Sequence, residues 1–75
     1  MERTVYLERM RKALYHAAHG GIREEDIVTC GGIQYYPYEY ILTYDAHANK
    51  WQHSAVLHDL KAESIQRVKL EEVDQ

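Results

Sequence analysis

Apolar residues return every three or four positions near the start of the chain and every second position afterwards. Over residues 4–19, Tyr6, Leu7, Met10, Ala13, Leu14, Ala17 and Ala18 follow the i, i+3, i+4, i+7 rule of an amphipathic helix. Glu2, Arg9, Lys12 and His16 fall on the opposite side, and Glu8 stands four residues before Lys12, the favourable order for a helical ion pair. Gly20-Gly21 then predicts the end of the helix, because the left-handed backbone of a C-terminal cap is easiest for glycine.

From residue 27 the period becomes two. Segments 27–30 and 33–36 flank Gly31-Gly32, a pair that tolerates the positive φ of a primed hairpin turn, so Cys30 is expected opposite Ile33 and Val28 opposite Tyr35. Pro37 cannot donate to a ladder and predicts a bend or bulge before the next strand. Strands over 38–45 and 51–60 follow, joined by a polar turn in which Asp45 and Asn49 supply the turn-forming side chains. With Tyr44 opposite Trp51, the residues Tyr38, Tyr40, Leu42 and Tyr44 share one face with Trp51, His53, Ala55 and Leu57. A last turn over 61–64 leads to a strand over 65–72, with Leu57 expected opposite Val68 and Ala55 opposite Leu70.

The expected fold is α+β, a single domain over residues 1–75. Its N-terminal amphipathic helix packs on one face of an antiparallel β-meander of three to four main strands, curled toward a small open barrel. The other face carries Ile41, Val56 and Ile65 among polar residues, which marks it as a surface for a partner. Tyr36 and Tyr15 project away from the expected core and join it as candidate partner contacts.

Composition narrows the function classes. A chain of 75 residues buries only about 60% of the surface it exposes when unfolded, a thin margin that a partner chain would widen. With 45% hydrophobic and 28% charged residues it is an ordinary globular sequence. One cysteine, no hydrophobic leader after Met1 and no long apolar run point to a reducing cytoplasm and no membrane span. The net charge is −3, unevenly spread: residues 1–20 carry +2 and the remainder −5. Phosphate-backbone binding needs clustered cations, so nucleic acid is the alternative reading, through Arg9, Arg11, Lys12 and Tyr36.

Five histidines raise the question of a metal. His16 and His19 share a helix at i, i+3 and Cys30 could complete a set if the first hairpin folds back, but no established Cys/His ligand spacing is complete. Surface histidines at a helix end, with no metal and no cofactor, is the simpler reading. Cys30 and His58-Asp59 contain the side chains of a nucleophile and its base, yet neighbours along a strand point apart and the expected pairing turns Cys30 into the core. The seven tyrosines could stack bases, but the register places Tyr38, Tyr40 and Tyr44 under the helix as core residues. Gly31-Gly32 lacks the Lys-Ser/Thr and the helix of a phosphate loop. Tyr44-Asp45, Leu57 to Leu60 and Arg67 to Val73 resemble strands of the small Sm-like barrel called the WYL domain. That likeness spans under half of the chain, lacks the Trp-Tyr-Leu signature and transfers no functional residue. The expected function is therefore a small non-enzymatic binding module acting on itself, as a homodimer, or on another protein.

Overall fold

The aromatic side of the central ribbon needs a cover, and the first helix supplies it. The computed structural model describes residues 1–75. It contains α1 (Arg3–Ala18), β1 (Val28–Cys30), β2 (Ile33–Asp45), β3 (Lys50–Asp59) and β4 (Ser64–Lys69), with short 3-10 turns at Glu24–Asp26 and Leu70–Glu72. The four strands form one antiparallel sheet in the order β1-β2-β3-β4, with α1 on one face and enough curl to make an open half-barrel. No helix is long and apolar enough to cross a membrane.

The core holds Tyr6 from α1, Val28 and Tyr35 from the first hairpin, Ala55 and Leu57 from β3, and Leu70 and Val73 from the C-terminal segment. Tyr6 is wholly buried, and its hydroxyl donates to the carbonyls of Glu39 (2.9 Å) and Val56 (3.1 Å). These two carbonyls lie where a β-bulge between Pro37 and Glu39 interrupts the β2–β3 ladder, so the phenol brings a donor to a place where strand pairing is irregular. Burial pushes the Tyr6 pKa up, against the opposing effect of its backbone hydrogen bonds, and the group stays a protonated donor.

The expected hairpin registers hold for Val28↔Tyr35, Cys30↔Ile33 and Tyr44↔Trp51, and both Gly31 and Gly32 have positive φ. Four details differ. The segments 33–36 and 38–45 are one continuous strand, because the chain passes Pro37 with a bulge and no break. The bulge moves Tyr38 out of step with Tyr40, to the face of His58, where it is half exposed. On the far side of β3 the register is Ala55↔Val68 and Leu57↔Gln66, and Leu70 leaves the strand for the 3-10 turn that carries it into the core. Asp59 decides this register: its carboxylate accepts the amides of Lys61 and Ala62 and so starts the turn at Leu60, as Asp45 does with His47 and Ala48.

The fourth difference is the rotation of α1. Tyr6 and Ala13 are buried with Arg9, Met10 and His16 half-buried beside them, whereas Leu14 is 49% exposed and Ala17 and Ala18 face water. A polar contact at the end of the helix, His16 to Asp26, draws that side inward. No Glu8–Lys12 ion pair forms within 4.0 Å.

Two measurements test this account. Tyr6→Phe leaves two carbonyls short of a donor and is expected to lower the unfolding free energy by about 1–2 kcal/mol in urea titrations. Glu63 closes the last turn at φ 53 without the side chain that favours this backbone, whereas Asn49 closes the equivalent turn at the same φ. Glu63→Asn is expected to raise stability by roughly 0.5–1 kcal/mol in the same assay.

Candidate functional site

With α1 occupying one face, the opposite face of the sheet is left without a covering element, and alternation sets which residues it shows. Tyr36, His58 and Ile65 lie side by side across three strands. The ring of His58 meets Tyr36 edge-on with centroids 5.4 Å apart and Tyr38 at 6.3 Å, so the bulge residue joins the same cluster. Ile65 is 56% exposed and Tyr38 49%. The next rungs bring Glu39, Val56 and Arg67 together, then Ile41, Ser54 and Lys69. Val56 is only 6% exposed and Ser54 7%, because longer neighbours on both flanks stand over these small central residues in a curled sheet. The face is thus an aromatic and aliphatic patch at one end, bordered by a carboxylate and a guanidinium.

Four of the five expected contact residues, Tyr36, Ile41, Val56 and Ile65, share this face. Val56 lies in its floor and Ile41 is half-buried, so Ile65 and the two tyrosines present most of its apolar surface. Tyr15 does not belong to it: it stands on α1, stacked on His19 with ring centroids 4.3 Å apart. His58 and Tyr38 were not singled out in the sequence as contact residues. Tyr38 was hidden by the bulge, and His58 by having a strand position with no distinctive neighbour.

Of the residues of the nucleic-acid reading, Arg9 and Lys12 share one hollow, whereas Arg11 and Tyr36 lie elsewhere. Arg9 is half-buried and its guanidinium reaches the Ile27 carbonyl at 3.5 Å, while Lys12 shares a surface hollow with Glu8, Glu25 and Asp26. Arg11 lies on another side of the helix, beside Leu7 and Leu14, and Tyr36 is on the sheet face described above. Arg9, Arg11 and Lys12 therefore share their surface hollows with carboxylates.

His16, His19 and Cys30 do not converge either. The ring of His19 turns back to the Tyr15 carbonyl at 2.9 Å, and the Cys30 thiol donates to the Glu72 carbonyl at 3.4 Å. Burial pushes the Cys30 pKa up, and the charges of Glu72 and Asp74 add to the effect, which keeps it a thiol. His16 instead meets Asp26, with its Nδ1 at 2.7 and 2.9 Å from the two carboxylate oxygens. Glu25 lies close enough that one ligand atom from each of the three falls within 4.8 Å of the others. Asp26 is 1% exposed and also accepts the Arg23 amide at 2.9 Å. Both its oxygens are thus held by protein donors, and the group ties the end of α1 to the 3-10 turn.

Burial alone would raise the Asp26 pKa, but the Arg23 amide and the His16 ring together outweigh it, and the carboxyl sits below the usual carboxylate range. A carboxylate depressed in this way contributes stability that is complete above its unfolded value near pH 4 and is lost as pH falls through its folded value. Wild-type protein is therefore expected to lose stability on acidification below about pH 4. Asp26→Asn is expected to be destabilised by about 2 kcal/mol at neutral pH and to show a flatter acid limb, both read from thermal melts across the pH range.

Compared with known proteins, the chain matches no family model and has no significant match among curated proteins or solved structures.

Proposed function

We propose that this chain is a small non-enzymatic binding module that works by protein–protein contact through the helix-free sheet face, with a second copy of itself as the partner. The observation that supports this reading is the row Tyr36, His58 and Ile65 with Tyr38 beside it: apolar and aromatic side chains on a sheet face that no other element covers. Tyrosine combines a large apolar ring with a hydroxyl that tolerates water, which suits a surface exposed in one state and buried in another. Glu39 and Arg67 border the patch with opposite charges, so a two-fold arrangement can set each against its complement in the other copy. A standard interface takes about 800 Å² from each partner. That is roughly 15% of the 5270 Å² accessible surface of the chain.

The test is the mass of the purified protein as a function of concentration, by sedimentation equilibrium or light scattering. Wild-type protein is expected to shift from monomer to dimer in the micromolar range, and Ile65→Asp is expected to weaken the association at least tenfold. Because Ile65 is 56% exposed, the substitution should change the stability of the monomer by no more than about 0.5 kcal/mol, which separates a lost interface from a lost fold. A wild-type chain that stays monomeric at high micromolar concentration overturns the reading.

A further inference from the structure

The opposite end of the β2–β3 ribbon concentrates positive charge in a chain whose net charge is −3. The β4 ladder stops at Ser54↔Lys69, where the chain turns away into the 3-10 turn Leu70–Glu72. Lys50, Trp51, Gln52 and His53 therefore keep an outer edge with no strand beside it. Arg3, on the first turn of α1, comes to the same place, its guanidinium carbon 5.7 Å from the centroid of the Tyr40 ring. Arg3, Lys50, Trp51, His53, Lys69 and Glu71 contribute to the walls of a cleft of about 270 Å³.

Three features make the cleft more than a hollow. Its three full cations, Arg3, Lys50 and Lys69, face a single carboxylate, Glu71, and none of the three has an acidic group within 4.0 Å. Three cations against one carboxylate leave the lining with an excess of positive charge, which favours an anion there. Trp51 is 58% exposed and braced by Tyr44, whose ring meets it at 72° with centroids 5.3 Å apart. An indole in that position costs solvation and gains nothing for the core, but it offers a face on which a planar ring can stack. Finally, two of the residues that line the cleft are held from behind: the His53 ring hydrogen-bonds the Tyr40 hydroxyl and the Arg3 guanidinium lies over the Tyr40 ring, which itself packs on Tyr6.

We propose that this cleft binds single-stranded nucleic acid, with phosphates held by Arg3, Lys50 and Lys69 and a base stacked on Trp51. Cations beside an exposed aromatic ring are the combination that recognises a charged backbone carrying flat bases. Trp51 lies about 23 Å along β3 from His58, and Lys69 stands between the two surfaces, at the last rung of the contact face and in the cleft wall.

Trp51 is the only tryptophan, and its fluorescence therefore reports on this site alone. The experiment titrates the full chain at low salt with an oligothymidylate of about ten nucleotides. Quenching of Trp51 is expected. Three phosphate contacts predict that affinity falls roughly 20-fold between about 50 and 200 mM salt. Arg3→Ala and Lys69→Ala should each weaken binding about threefold, and the double variant Lys50→Glu/Lys69→Glu should abolish it with an unchanged circular dichroism spectrum. Lys61→Glu, in the remote turn, should bind as the wild type does. Absence of quenching at low salt overturns the proposal, as does undiminished binding by the double variant. Equal binding of polyglutamate, of an abasic phosphodiester chain or of thymidine monophosphate also overturns it, by showing that charge, backbone or a free nucleotide suffices.

Discussion

The phenol of Tyr6 is the contact on which the rest of the structure depends. It is the large side chain that the helix drives fully into the sheet, and its hydroxyl ends on the two carbonyls where the β2–β3 ladder loses step. A helix docked only by apolar contact could slide along a ribbon of tyrosines, since every second residue there offers a similar ring. A hydrogen bond to a defect is specific to one place. It sets the depth of α1 and its position along the strands, and through them decides which rings are covered and which remain in water. Tyr40 lies in the shade of Tyr6, whereas Leu42, Tyr44 and Trp51 lie farther along the ribbon and stay exposed.

Much of this architecture was legible where the signal is local. Gly31-Gly32 announced a turn with positive φ at both positions, and the alternation of Tyr40, Leu42 and Tyr44 with Thr43 and Ile41 announced a strand with one apolar side. What alternation cannot fix is a displacement by an even number of residues, because the same side chains remain on the same face. Leu57 opposite Val68 and Ala55 opposite Val68 are equally good by that criterion. The choice was made by the carboxylate of Asp59, in a turn built like the one after Asp45. The rotation of α1 was hidden for a different reason: two alanines and a leucine near its end define a weak apolar side, and the buried Asp26–His16 contact outweighs them.

The candidate surfaces were legible in proportion to how much of each lies in one stretch. Ile41, Val56 and Ile65 were traceable because counting by twos along adjacent strands brings them to one side. The cationic cleft gave no such sign. Arg3, Lys50 and Lys69 come from the first helix, the base of a ribbon turn and the last strand, and each reads in the sequence as an ordinary solvated charge. The clustered cations of the first twelve residues drew attention instead, although the fold sets Arg9 and Lys12 beside Glu8, Glu25 and Asp26. Density of charge along the chain was a poor guide here to density of charge in space.

The order of the sheet bears on how the molecule reaches this state. Every strand pairs with its neighbour in the chain, so the entire ladder can grow by closing short loops one after another, each at a small entropic cost. The long-distance closures are the seating of Tyr6 on Glu39 and Val56, the junction of the Met1 nitrogen with the carbonyls of Leu70 and Val73, and the contacts of Thr29 and Cys30 with Asp74 and Glu72. These join regions that the meander itself leaves apart. A chain translated in this order has its cover ready before the surface to be covered exists, and its aromatic ribbon emerges already accompanied by the helix that will shield it from aggregation.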